Sequence, residues 1–410
     1  GLSTTVRMGE VETIEHNRDK GLGVTVFFSG KDGLRKGNAS TTDFSAGAVR
    51  ETVKAACNIA KYTSEDPCAG LADAGLMATQ QPDLDLYHPW AVQPDETIEM
   101  ARECEQVAME FDPRIDNSEG ATVNSHEGFR AYANSHGFLG AYPSSRHGLS
   151  CVVIAKDGDS MERDYWYDSV RDIKDLATAP SIGQQAGERT IKRLNARSLS
   201  SRQCPVVYSA EIASSLLGNF IAAIRGGSLY RKSSFLLDSL GEQIFPDFIQ
   251  LQEEPYLLKA MGSASFDGDG VATQQRHIVK DGIVESYVLD AYAACKLGMQ
   301  TTGNAGGVHN LVIQPGDMGF DALLSQMDTG LLVTELMGQG VNMVTGDYSR
   351  GAAGFWVEKG EIQYPVHEIT VAGNLKQMFK DIVAVGNDVD LRGNTRTGSI
   401  LLENMAIAGE

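Results

Sequence analysis

Residues 329–374 read TGLLVTELMGQGVNMVTGDYSRGAAGFWVEKGEIQYPVHEITVAGN. Gly338, Gly340, Gly346, Gly351, Gly354 and Gly360 punctuate short runs that read as strands. Glycine at such density marks tight turns, or backbone that something else approaches closely. The stretch therefore predicts a meander of strands. Asp347, Tyr348, Ser349 and Arg350 lie at its polar centre and are candidates to touch a peptide or a partner.

Before this stretch, short helices are expected near 291–297 and 320–327, and a hairpin of 271–279 with 283–289 around Asp281-Gly282. After it come a short helix, 375–383, and a final strand, 399–407. The second half opens with a strand at 205–208 and a helix at 210–224. Ile212, Leu216, Phe220 and Ile224 form one face of that helix, and Gly226-Gly227 is its expected stop.

The first half reads as a hairpin, 21–44, in which Val24, Val26 and Phe28 alternate. Ser45 is placed to cap a helix running to about Tyr62, with Val49, Val53, Ala56 and Ala60 on one face. Residues 63–94 hold Pro67, Pro82, Pro89 and Pro94 and read as irregular. A helix then starts at Pro94-Asp95-Glu96, with proline and carboxylates in its first turn. Residues 121–167 read as strands. Within them Asn124-Ser125-His126 recurs as Asn134-Ser135-His136, which predicts paired strands with like faces. A helix near 182–194 leads to a serine-rich linker, 198–203. The fold class is α+β: two domains, 1–197 and 204–410, of mixed or antiparallel sheets with flanking helices, the second richer in strands.

Composition narrows the function. A net charge of −19 with scattered Lys and Arg repels phosphate backbones, so no nucleic-acid contact is expected. It equally disfavours anionic membrane surfaces, and no run of eighteen apolar residues offers a span. Six cysteines occur: Cys57, Cys68, Cys104, Cys151, Cys204 and Cys295. None forms a CxxC, and they read mostly as buried thiols in a reducing compartment. Asn38-Ala39-Ser40 fits a glycosylation sequon, but nothing else points to secretion.

Spacing alone yields no complete catalytic constellation. His126-Glu127 lacks a second histidine one turn on, where Arg130 and Ala131 stand. His136, His147, His309 and His367 could converge in space, but with eight histidines in 410 residues some proximity is unremarkable. Asp267-Gly268-Asp269-Gly270 begins like a calcium loop, but Val271 and Ile278 occupy positions that need oxygen ligands. Gly338-Gln339-Gly340 lacks the third glycine of a dinucleotide fingerprint, since Met343 stands there. There is no Walker A loop and no GxSxG elbow.

Longer runs carry more. They include 227–233 (GSLYRKS), 235–241 (FLLDSLG), 303–310 (GNAGGVHN), 333–340 (VTELMGQG) and 345–354 (TGDYSRGAAG). In the first half the matching runs are 66–70 (DPCAG), 134–137 (NSHG) and 161–165 (MERDY). On these the chain resembles the TldD/PmbA family across its length, and its PmbA (TldE) branch more than TldD. Family members carry extra sequence before the first hairpin, so Gly1 is expected to lie inside the natural chain.

The resemblance implies a cytoplasmic zinc peptidase built from two homologous subunits. It acts on small or unfolded peptides, including a microcin precursor and an antitoxin. In TldD the metal sits on a helix carrying His-Glu-x-x-x-His, with a cysteine near the C-terminus as a further ligand. Those positions fall here on Gly218, Asn219, Ala223 and Thr397. The expectation is a chain without catalytic residues or metal, paired with a zinc-bearing TldD-like subunit, or with itself when isolated. The alternative is an independent hydrolase built on His309 and residues 347–350. An older association of the family with DNA gyrase would act through a protein partner, given the charge.

Overall fold

The structure is a computed structural model and describes residues 1–409. Its first strands, Leu2–Arg7 and Glu10–His16, turn through Met8 and Gly9, both at positive φ (51° and 77°). Leu2–Arg7 also pairs with Ile115–Ala133, which pairs with Leu139–Asp157 and that with Ser160–Val170. The result is a five-stranded antiparallel sheet. Helices Pro94–Glu110 and Ala179–Arg193 cover one face, where Cys104, Ala108, Ile182 and Ala186 meet Val123, Leu149, Cys151 and Val153. Small residues bring the helices close: a Cβ at Gly183 would lie 2.2 Å from the Cys104 carbonyl oxygen. Each fully buried leucine or isoleucine in this layer stabilises it by about 1.5–3 kcal/mol.

Between the second and third strands of that sheet lies a separate small unit. Strands Leu22–Ser29 and Leu34–Thr41 form a hairpin, and helix Ala46–Tyr62 packs on it. Ser45 caps the helix through the Ala48 amide at 3.3 Å. Gly37 is required here, because a Cβ would fall 2.1 Å from the Ala56 carbonyl oxygen.

The glycine-rich stretch supplies three strands, Gly330–Met337, Asp347–Glu358 and Glu361–Asn374. They join Arg202–Tyr208 and Ile400–Ala408. Pairing of Thr370 with Ala408 and Val371 with Ile407 closes these five strands on themselves, and Ile382–Val385 attaches beside Ile400–Ala408. Strand alternation divides the wall. Val206, Tyr208, Leu331 and Val333 face the main core with helix Ala210–Ile224, whereas Val207, Leu332, Val357 and Leu401 pack under helix Phe320–Met327. A small mixed sheet adds Leu251, Ile278, Val279 and Leu311 to the main core.

Several sequence expectations are corrected. The two Asn-Ser-His runs are not paired: His126 faces Arg146, while residues 134–137 make the turn at the end of the long hairpin, with Gly137 at φ 85°. The helix expected at 375–383 stops at Lys380, because Ile382–Val385 is drawn into the sheet by Ile400–Leu402 pairing. The strands flanking Asp281-Gly282 are shorter, Arg276–Lys280 and Ile283–Val284. Helix Ala210–Ile224 ends at Arg225, which adopts an extended conformation, and Gly226 opens a further short helix instead of capping the first. Not all six cysteines are free thiols: Cys68 and Cys295 are joined by a disulfide, with Cys57, Cys104, Cys151 and Cys204 free.

Candidate functional site

The metal position implied for TldD falls on helix Ala210–Ile224. Gly218 is exposed, and a Cβ there would meet nothing within 4 Å. Asn219 is half-buried. Ala223 is fully buried in the core, and its carbonyl accepts the Ser234 hydroxyl at 2.6 Å. The helix packs against the strand Thr395–Arg396. The next residue, Thr397, is fully buried and donates its hydroxyl to the Gly398 carbonyl at 2.8 Å. A catalytic zinc needs about three imidazole, thiolate or carboxylate donors. Gly218 and Ala223 carry no side-chain donor, Asn219 offers one neutral amide, and Thr397 a neutral hydroxyl already bonded. These four positions do not fit zinc. Among the described residues, no group of three or more His, Cys, Asp or Glu side chains is arranged to hold a metal.

The other candidate residues lie in separate settings. His309 donates its backbone N–H to Glu253 Oε1 at 2.7 Å, and its Nδ1 lies 3.3 Å from the Gly262 carbonyl. Its Nε2 is buried without a partner, and burial pushes the imidazole pKa down, favouring the neutral ring. Asp347 is exposed and accepts Thr345 Oγ1 at 2.6 Å and Asn374 Nδ2 at 3.1 Å, which hold its carboxyl below the usual range. Tyr348 is buried, with its hydroxyl 3.4 Å from that of Tyr208, and burial raises its pKa. Ser349 is exposed, and Arg350 reaches the Leu336 carbonyl at 3.4 Å. Asp347 and Ser349 thus share the outward side of the strand, Tyr348 and Arg350 the inward one. His309 shares no hydrogen-bond partner with residues 347–350.

Around His309 the structure assembles a network that no local motif announces. Glu253 is 1% exposed; it accepts Arg276 Nε at 2.9 Å and Asn304 Nδ2 at 2.7 Å. Arg276 also reaches Asn304 and donates to Ser286 Oγ at 2.9 Å. A buried carboxylate held this way is stable only while each partner remains. The network fixes the run 303–310 onto the strand Leu251–Glu253.

A second feature is a cleft of about 650 Å³ bounded by Leu34, Lys36, Asp66, Tyr132, Asp269 and Tyr292, among others. It lies between the small N-terminal unit, the tip of the long hairpin and the second half. Beside it Asp267 is buried, and desolvation raises its pKa to about 6 although the Ala305, Asp269 and Val271 amides donate to it.

Residues 201–409 match the PmbA/TldA metallopeptidase C-terminal domain, residues 87–194 the central domain and residues 1–60 domain 1. The chain belongs to the PmbA/TldA metallopeptidase family. It is 53% identical to Metalloprotease PmbA of Escherichia coli O157:H7, over all of this chain and 90% of that protein. It is 50% identical to the PmbA homolog of Haemophilus influenzae, with the same coverage. A crystal structure from Bacteroides thetaiotaomicron, described as a candidate modulator of DNA gyrase, superposes with a TM-score of 0.94 at 32% identity, covering 100% of this chain and 92% of that one. TldE from Thermococcus kodakarensis shares the fold at a TM-score of 0.86 and 21% identity, over 100% of this chain and 94% of its own. Among the described residues, no helix is long and apolar enough to cross a membrane.

Proposed function

We propose that this chain is the metal-free subunit of a heteromeric cytoplasmic peptidase, paired with a TldD-like subunit that carries the zinc. The observation supporting this is the helix Ala210–Ile224. It is intact, well packed and integral to the core, yet the four positions matched to the metal site are Gly218, Asn219, Ala223 and Thr397. A family fold kept whole without its donor set fits a scaffold that shapes the substrate path while chemistry proceeds on the partner. The substrate class is peptides and unfolded proteins. The exposed side of the strand through Asp347 and Ser349 is one part of the glycine-rich stretch available to a peptide or partner. Closure of the second-half strands leaves few unpaired edges for peptide addition there, so side-chain contacts carry more of the recognition.

The test is copurification with a TldD-like subunit, followed by metal analysis and peptidase assay of each chain and of the pair. Zinc should follow the partner, and the pair alone should cleave an unstructured peptide. Full zinc occupancy of this chain in isolation, or peptidase activity of this chain alone, would overturn the proposal.

A further inference from the structure

The small unit made of the hairpin 22–41 and helix Ala46–Tyr62 is an arm. Its helix packs chiefly on its own hairpin, and the unit joins the body through residues 17–21 and 63–72. Backbone pairing of Leu34 with Asp66, at 3.1 and 3.0 Å, fastens the second connection to the hairpin. Two residues on, Cys68 is bonded to Cys295 in helix Ala291–Lys296 of the second half, 227 residues away. The Asp66 carboxylate also accepts Lys296 Nζ at 2.8 Å and the Tyr292 hydroxyl at 2.7 Å. Arm and body face each other across the 650 Å³ cleft, which Leu34, Lys36 and Asp66 line from one side and Asp269 and Tyr292 from the other.

We propose that the Cys68–Cys295 disulfide is a reversible redox latch that holds the arm over this cleft. The reading rests on the cytoplasmic location in the proposed function, and not on the chain's role as a peptidase subunit. Three features support it. The bond cross-links the arm's second connection to a helix of the body, while the arm's own hairpin and helix pack chiefly on each other. Cys295 is an exposed residue and Cys68 a half-buried one, so the bond lies near the surface, with Cys295 on the side an incoming thiolate would approach. The third is that the carboxylate contacts flanking the bond, Asp66 with Lys296 and Tyr292, are only partly buried, so the bond is the strongest tie at this junction. In a reducing compartment a disulfide of this kind is a redox-sensing one, since a permanent staple would not persist if thiols could reach it.

The reductant is a protein dithiol of the CxxC class. Its thiolate attacks Cys295 Sγ, the Cys68–Cys295 bond breaks, and Cys68 leaves as a thiolate that takes up a proton. The second thiol of the reductant then displaces Cys295 from the mixed disulfide. The reductant departs as a disulfide, and the chain gains two electrons and two protons as two thiols. Apart from Ala72, which stays buried in the cluster of Phe138, Phe266 and Val271, what remains at the junction is the Asp66 ion pair with Lys296 and its bond to Tyr292. These are solvent-accessible contacts, which hold weakly on their own. Release therefore frees residues 63–71 and the arm to swing from the cleft, and an oxidant that forms disulfides reverses it.

The experiment uses the full chain purified without reductant. Non-reducing peptide mapping should give a Cys68-peptide linked to a Cys295-peptide. Amide hydrogen exchange is then followed in the oxidised chain, in the chain reduced by a thioredoxin-type dithiol, and in Cys68→Ser and Cys295→Ser. Reduction should speed exchange across residues 63–71 by about tenfold. Both variants should match the reduced chain, and strand Arg202–Tyr208 should exchange alike in every state. Six free thiols with no linked peptide in the native chain would overturn the proposal. So would exchange at 63–71 that is unchanged by reduction, or a rise that extends to Arg202–Tyr208, which would mark a global staple.

Discussion

Arg392 lays its guanidinium on the Trp166 ring at 4.3 Å, and by this contact a loop of the second half is pinned to the sheet of the first. The same group donates to the Tyr167 carbonyl at 2.9 Å, pairs with Asp390 at 2.9 Å and lies 3.4 Å from Glu211. Arg189 approaches the same indole at 5.0 Å. A planar, forked cation does several things here that an ammonium cannot. Arg392→Lys should therefore cost about 1–3 kcal/mol and loosen the two halves. The check is a urea titration: the variant should lose cooperativity between a tryptophan signal and far-UV circular dichroism.

Gly218 and Ala223 predict opposite outcomes on one helix. Gly218 is exposed, helical and unobstructed, so Gly218→Ala should stabilise the chain by about 0.5–1 kcal/mol. Ala223 is fully buried, and Ala223→His places a large polar ring in a filled core, costing about 1–3 kcal/mol or more. Thermal denaturation of the two variants checks both signs. Grafting the TldD ligand set onto this helix should thus fail at Ala223 first.

Glycines within the meander divide in the same way. A Cβ at Gly354 would sit 1.8 Å from the Leu332 carbonyl oxygen on the neighbouring strand, and one at Gly340 would sit 1.7 Å from that of Ser349. Gly338, at φ 74°, has open space around it. Gly354→Ala should cost about 3 kcal/mol or more through backbone displacement, whereas Gly338→Asn should be nearly neutral because asparagine tolerates that conformation. Soluble yield and melting temperature separate the two.

Asp267 carries a pH dependence with a definite sign. Its folded pKa is raised from 3.8 to about 6, chiefly by burial. The folded state therefore binds the proton more tightly than the unfolded chain. The contribution to stability is full below about pH 4 and is lost as pH rises through about 6. Relative to Asp267→Asn, the parent chain should lose stability between pH 4 and 7. Denaturant midpoints of both proteins across that window make the comparison, and equal slopes would refute it. The variant has its own constant penalty, since its amide nitrogen can face the Ala305 N–H that now donates to the carboxylate.

Much of this architecture is legible in the chain. Helix 210–224 is bounded as its periodicity predicts, and Ser45 caps as its type and position require. The three strands of the glycine-rich stretch follow from their turns. The registers that close them on Arg202–Tyr208 and Ile400–Ala408 do not, because alternation says which face a residue takes and nothing of its distant partner. Periodicity also passes over Glu10–His16, which is exposed along its whole length and so has no apolar alternation. The Asn-Ser-His repeat misleads because Gly137 makes the second copy a turn. Glu253, Arg276 and the run that holds Asn304 and His309 are far apart in sequence, as are Cys68 and Cys295, and only tertiary packing brings each group together. The missing donors at the metal position are legible only through family resemblance.

The strand pairing Arg202–Ile407 has a consequence for how the protein is made. The strand that opens the second half has one neighbour in Gly330–Met337 and its other in Ile400–Ala408, so a nascent chain emerging from the ribosome holds an unfinished wall until almost the whole segment has been synthesised. Its apolar strands wait through that interval with unpaired edges, exposed to chaperones and to one another. Slowing translation late in this region should therefore lower the yield of folded protein more than slowing it within the first half, whose sheet is complete by Val170.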